Sequence, residues 1–440
     1  MIFASGTRGM AASSAAWNTP ARLTLGVVLL LLPLSSAVKP LLGLSDDALW
    51  IDPSLLLAPL LLLMIPRVRI SLLTLLLLLA ALLAMCHGAV LADLTLGGKQ
   101  GLYDLVREPA RLALCLMLFT GVAHFARKQP ILVVQYLHFS VLLQMAFAAV
   151  VWLGSSRILT LPDPLGQYAV DLGNRQALWL ESGAIARLSG SFPESPPFGL
   201  FMLSCLFVFY AARKLPGLRG LTRSGMVVAA LGAALSLSDQ IVIALGVFLT
   251  WVILGVLRQF LTRRSVKLLP LLIPLALLCA AGVFSAQRVL AKFSEVGKTG
   301  ASIVATSGGE RSFHTQYALG LLGEHPSAAV FGMGPGRYGA YAARTGLFPD
   351  TVTIQVTPLE WLVEDGALGL VAVTAFLYAV WKRARRTLGN MAFPVMLSLL
   401  LGILFQANWK WSGWFIALAF LYGLGRHVTD SKLPLKEVVE

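Results

Sequence analysis

Two segments of this chain set an arginine beside groups able to take a proton. Residues 187–199 read Arg-Leu-Ser-Gly-Ser-Phe-Pro-Glu-Ser-Pro-Pro-Phe-Gly, so Arg187 precedes a Gly/Pro-rich turn that also carries Glu194. Residues 308–324 begin Gly-Gly-Glu-Arg-Ser-Phe-His, which places Glu310, Arg311 and His314 at the start of a short amphipathic helix ending near Gly323 and Pro326. Arg337 and Arg344 follow, and Glu364 lies further on. Arginine presents a fixed fork of donors that pairs bidentately with phosphate oxygens and never loses its charge. Glu194, Glu310, His314 and Glu364 are the candidates to accept a hydroxyl proton, His314 with an ordinary pKa near 6.5. The plainer reading is that such arginines pair with lipid headgroups or loop acids and that Glu310 caps a helix N-terminus, where the dipole favours an acid. Spacing does not choose: Arg187 to Gly199 matches Arg311 to Gly323, but Arg288 to Gly300 matches both.

The elements that must hold these residues are set by composition. Of 440 residues, 57% are hydrophobic and 13% charged, with a mean hydropathy of +0.78. Soluble domains carry roughly 25% charged residues, so a soluble enzyme is excluded. Apolar runs long enough to be spans fall near 22–38, 50–66, 70–92, 111–126, 130–153, 198–212, 225–237, 240–257, 268–286, 356–380, 391–406 and 413–425. The expectation is one all-α membrane domain over 1–440, of about 12 helices at about 20 residues each. Its 40 Gly and 22 Pro fit membrane helices.

The net charge of +14 does not point to nucleic acid, because the basic residues sit in small clusters between apolar runs. With the N-terminus inside, one face receives Arg67 and Arg69, Arg127 and Lys128, Arg213 to Arg223, Arg258 to Lys267, and Lys382 to Arg386. Of the 21 acids only Asp430, Glu437 and Glu440 fall on that face. The positive-inside rule makes it cytoplasmic and puts both termini there. The stretch 225–257 is interrupted by Ser236, Ser238, Asp239 and Gln240. As one helix it would be about 50 Å long against a core of about 30 Å, so two short or re-entrant spans are expected. Arg22, an apolar run and Ser35-Ser36-Ala37 mimic a secretory signal, but cleavage would leave an odd span count, so an uncleaved anchor is expected.

Two outer segments, 154–197 and 287–355, are far longer than a connection requires, and long connections are usually functional or disordered. Trp179, Ile185, Phe313, Tyr317 and Leu321 give them enough apolar content to fold onto the membrane face. Cys86, Cys115, Cys205 and Cys279 all lie in apolar runs as packing residues, and no His or Cys pattern has metal-ligand spacing. The glycines of 332–336 read as a tight turn, since Pro335 removes an N–H that a phosphate nest would need. Trp409-Lys410-Trp411-Ser-Gly-Trp414 reads as an interfacial belt.

Four motifs in order carry a family resemblance: Arg187-Leu-Ser-Gly-Ser-Phe-Pro-Glu-Ser before a span, the Gly-Glu-Arg311 helix, Phe331-Gly-Met-Gly-Pro-Gly336, and Trp361-Leu-Val-Glu364-Asp-Gly366-Ala-Leu-Gly369 at the next span. The chain resembles the O-antigen ligase and polymerase family, specifically over 187–199 and 308–369. The resemblance implies a GT-C-type glycosyltransferase of the bacterial inner membrane. It would join undecaprenyl pyrophosphate-linked oligosaccharides on the periplasmic side into O-antigen or exopolysaccharide, with no cofactor, nucleotide sugar or metal. Arg187 and Arg311 are then expected to hold the pyrophosphate, with Arg337, Arg344 and Glu364 as further substrate contacts. Glu194, Glu310 and His314 are expected as proton acceptors. Membrane lipids, a chain-length regulator and a flippase are the partners implied. The ligase branch resembles His-Asn-x-Tyr-Leu-x-x-Leu-x-Glu-x-Gly; here Gln355 and Val356 stand at the first two positions, and Ser238-Asp239 stands where that branch often has Ser-Arg. Both departures favour the repeat-unit polymerase over a ligase acting on lipid A core or protein. A lipid-linked glycan transporter would show two similar halves and midplane polar groups, and neither is legible.

Overall fold

The computed structural model describes residues 19–31, 55–65, 70–91, 98–156, 158–163, 165–180, 183–192, 194–263, 307–343, 354, 356–404, 410 and 412–430. In chain order the helices are α1 (Thr19–Leu31), α2 (Leu57–Leu63), α3 (Leu72–Leu91), α4 (Gly98–Lys128), α5 (Pro130–Ser155), α6 (Leu165–Gln176), α7 (Ser195–Ala212), α8 (Arg219–Leu235) and α9 (Asp239–Arg263). Then come α10 (Ser307–Glu324), α11 (Pro326–Phe331), α12 (Tyr338–Ala343), α13 (Thr357–Leu388), α14 (Ala392–Ile403) and α15 (Ser412–Asp430). Among the described residues six continuous helical stretches are long and apolar enough to cross a membrane, the last of which, Thr357–Ile403, runs through α13 and α14.

Each expected span but the ninth overlaps a described helix, but α1 and α2, with 13 and 7 residues, are too short to count as spans by themselves, and 268–286 lies outside the described residues. The described residues are helical as expected, with one addition: β1 (Ala177–Leu180) and β2 (Gly183–Ala186) form a short antiparallel hairpin with Ala177 opposite Ala186. The β-branched and aromatic Trp179 and Ile185 within it suit a strand.

Helix starts follow proline: Pro130, Pro196, Pro326 and Pro358 stand in the first turns of α5, α7, α11 and α13, where a missing N–H costs nothing. The break expected within 225–257 is present. α8 stops at Leu235, Leu237 takes a positive φ of 48°, and α9 begins at Asp239.

Apolar all round, α7 is the central helix: nearly all of it is buried, which is where such a helix must sit. Around it pack α5, α8, α9, α14 and α15. By contrast α3 leaves Leu72, Leu75, Leu76, Leu79, Leu82 and Leu83 exposed along its outer side, the face a bilayer would cover. The main partner of α15 is α4, and Gly423 lets the two approach until it meets the Ala123 backbone. α13 and α14 are antiparallel, since the Thr357 N–H donates to the Leu404 carbonyl at 3.0 Å.

Candidate functional site

The geometry begins with a kink. Gly366 interrupts α13 with φ 69° and ψ −176°, which takes carbonyls of the preceding turn out of the helical ladder. The turn 332–336 supplies their donors: Met333 N–H to the Val363 carbonyl at 2.8 Å and Gly334 N–H to the Glu364 carbonyl at 3.1 Å. Such an approach needs glycine on both sides. Gly332, with φ 85°, lies against the backbone of Glu364 and Asp365, and Gly366 lies against Val330 and Gly332, leaving no room for a Cβ at either. α3 closes the other side of the turn, where His87 Nδ1 donates to the Gly332 carbonyl at 2.6 Å and Gly88 meets Gly334. The Phe331-Gly-Met-Gly-Pro-Gly336 and Trp361-to-Gly369 motifs are therefore in direct backbone contact.

From this turn the chain enters α12 through two buried side chains, Arg337 and Tyr338. Burial disfavours the charged form of each, lowering the pKa of Arg337 and raising that of Tyr338. Tyr338 donates its hydroxyl to the His314 carbonyl at 3.1 Å and accepts from His314 Nδ1 at 2.8 Å. Tyr317 hydroxyl reaches the Tyr341 carbonyl at 2.7 Å. His314 is 1% exposed. It thus sits inside a small core of Ala318, Leu321, Met333, Tyr338, Tyr341 and Val363 that seats α10 on α11 and α13.

Beneath the turn is a buried charge cluster. Lys410 Nζ meets Glu108 Oε2 at 3.1 Å, and the other Glu108 oxygen meets Arg107 Nε at 3.0 Å. Glu360, Glu364 and Asp365 of α13 are buried alongside, Glu360 and Glu364 on one face by their i,i+4 spacing. Burial works against the Lys410 ammonium, but the field of Glu108, Glu364, Asp365 and Glu360 overrides it and lifts Lys410 above the ordinary lysine range. An isolated buried charge is prohibitively costly, so this lysine is what allows the acids to gather here.

The Arg187 segment forms a separate wall. Arg187 is half-buried just after β2. Leu188 N–H donates to the Leu235 carbonyl at 3.2 Å, at the α8–α9 break. Ser191 is locked to buried Gln144 of α5: its N–H reaches Gln144 Oε1 at 3.3 Å and its hydroxyl accepts from Gln144 Nε2 at 2.8 Å. Phe192 packs against Phe201, which in turn covers Gly413, so this wall reaches the chain just after Lys410.

Of the residues singled out by sequence, the structure brings Arg337, His314 and Glu364 to the glycine turn. Glu310 and Arg311 lie on α10, a turn or less before His314. Glu194 is the exposed N-cap of α7 and makes no side-chain capping bond. Arg344 lies outside the described residues. Sequence reasoning missed Glu108, Glu360 and the role of Lys410. A lysine between two tryptophans read as interfacial, and the only available hint was the Arg107-Glu108-Pro-Ala-Arg111 string ahead of an apolar run. No group of three or more His, Cys, Asp or Glu is placed to hold a metal among the described residues. No protein-family model matches the chain, and no curated protein matches it.

Proposed function

We propose that this protein is a membrane glycosyltransferase of about twelve spans that polymerises polyprenyl pyrophosphate-linked oligosaccharide repeats at the outer face of a bacterial inner membrane. The observation that carries this reading is the contact between the Gly332–Gly336 turn and the Gly366 kink, with buried Arg337 beside it. Two of the four resembling motifs, separated in sequence by residues 337–360, are thereby one structural unit, and the helix bearing Arg311 packs onto it. The ends of α3, α4, α7, α13 and α15 that meet around this unit are the ends that the charge pattern assigns to the outside.

In the proposed reaction an acceptor hydroxyl attacks the anomeric carbon of the lipid-linked glycan. The new glycosidic C–O bond forms as the bond to the pyrophosphate oxygen breaks, the electron pair leaves with the pyrophosphate, and the hydroxyl proton passes to a carboxylate or imidazole. Charge grows on the leaving group, so fixed cations contribute most there. Arg187 and Arg311 are assigned that role, with Arg337 as a further contact and Glu194, Glu310, His314 and Glu364 as the acceptor candidates.

The test is the size distribution of glycan on the polyprenyl carrier in cells with and without the protein. Accumulated single repeats on the outer leaflet, with no long chains, are the expected result. Long chains still on the carrier would identify a ligase, and single repeats held on the inner leaflet would identify a transporter; either outcome sinks the polymerase reading.

A further inference from the structure

A cavity of about 580 Å³ runs between α13 and α14, from Thr357 and Leu404 at one end to Trp381 and Phe393 at the other. From Trp361 to Trp381 a helix climbs about 30 Å, the thickness of a bilayer core. None of the lining residues is charged. Tyr378 and Phe393 are 57% and 52% exposed, so the cavity is a groove on the side of the helix pair rather than a sealed void. An apolar groove of this length, in a chain whose helices cross a membrane, is shaped for a hydrocarbon chain.

The two ends differ in charge. On α13 the row Thr374, Tyr378 and Trp381 continues at the next turn to Arg385, whose guanidinium lies 5.8 Å from the Trp381 ring centroid. Its neighbours turn the other way: Arg386 donates to Thr429, and Arg383 lies over Tyr422, both on α15. Arg385 and the exposed Lys382 are left at the mouth of the groove. At the opposite end the buried Glu360 follows the lining residues Thr357 and Pro358 and precedes Trp361 in the chain. An anionic headgroup is therefore matched by the exposed basic pair at the Trp381 end. That end is opposite to the candidate site, where the pyrophosphate of a glycan carrier would have to lie.

We propose that the groove between α13 and α14 binds an anionic phospholipid, its hydrocarbon chain against Leu377, Met396 and Leu400 and its phosphate at Arg385 and Lys382. Trp361 lines the far end of the groove and is flanked by Glu360 and Glu364, so the lipid would brace the helix that carries the Gly366 kink. This inference does not depend on the glycosyltransferase reading, and its test uses no glycan.

The full-length protein, purified in mild detergent with an equimolar mixture of phosphatidylglycerol and phosphatidylcholine, is examined by native mass spectrometry. Phosphatidylglycerol should be retained in preference, and Arg385→Gln should lower the preference about fivefold, the effect of one basic group at a lipid surface. Leu400→Trp should fill the groove and remove the retained lipid. Equal retention of the two lipids, selectivity unchanged in Arg385→Gln, or full retention in Leu400→Trp would each overturn the proposal. Displacement of phosphatidylglycerol by a polyprenyl phosphate that binds wild type and Arg385→Gln alike would assign the groove to the carrier instead.

Discussion

Lys410 and Glu108, 302 positions apart in sequence, meet at 3.1 Å with side chains 2% and 5% exposed. The pair fastens α4 to the entry of α15, beneath the turn that carries Arg337. Removing either partner leaves the other charge buried with less compensation, and breaking such a pair costs about 3–5 kcal/mol. Lys410→Met and Glu108→Gln should each lower thermal stability in detergent, and the double variant should recover part of the loss. Additive losses in the double-mutant cycle would show that the two charges do not act together.

The same lysine sets a pH dependence. Its pKa is raised in the folded protein, so its contribution is fully present below the unfolded value, about 10.4, and disappears as pH rises through the folded value. Melting followed from pH 8 to 12 should show a loss above about pH 10.4 that Lys410→Met does not share.

Glycine is needed at 366 for two reasons and at 389 for one. Gly366→Ala forces a Cβ against Gly332 and Val330 as well as a left-handed backbone, and should cost about 3 kcal/mol or more. Gly389 also has positive φ, 58°, but nothing lies within 4 Å of its Cβ position, so Gly389→Ala should cost only about 1–2 kcal/mol. Thermal unfolding of fluorescent fusions compares the two; equal losses would mean that the turn is not wedged against α13.

Gln144→Leu removes the bonds that Gln144 makes to the Ser191 N–H and hydroxyl in a buried site, a loss of about 1–3 kcal/mol. Because Ser191 anchors the loop that follows Arg187, polymer length in cells should shorten at protein levels equal to wild type. Normal polymer would separate that loop from the activity.

Arg187→Ala and Arg311→Ala should abolish polymer while the protein stays in the membrane. Lysine at either position should restore only part of it, since an ammonium keeps the charge but not the fork. Near-normal glycan ladders on a gel from both alanine variants would remove the pyrophosphate assignment.

Helices were legible in the sequence because apolar runs are local. So were the α8–α9 break, written in Ser236, Ser238 and Asp239, and the tight turn at 332–336, written in its glycines. α4 was cut short: hydropathy starts it near 111, whereas it begins at Gly98. The polar residues that hid its first turns, Arg107, Glu108 and Arg111 among them, are tolerated because one of them is paired within the bundle. A partner 302 residues away leaves no local trace. Lys410 was misplaced for a related reason, since Trp409 and Trp411 around it are also the composition of a membrane interface. The hairpin at 177–186 was masked by the expectation of loops in a helical membrane protein, though Trp179 and Ile185 favour strand.

The seam between α4 and α15 also has an order in time. Synthesis delivers Glu108 long before Lys410 leaves the ribosome, so the pair between them cannot form through that interval. The surface of α4 that Gly423 will cover at Ala123 stays open for as long. The packing of α4 is thus completed only once α15 has been made. A nascent chain halted before residue 410 is expected to present an unfinished face to membrane quality control, however well its earlier helices have inserted.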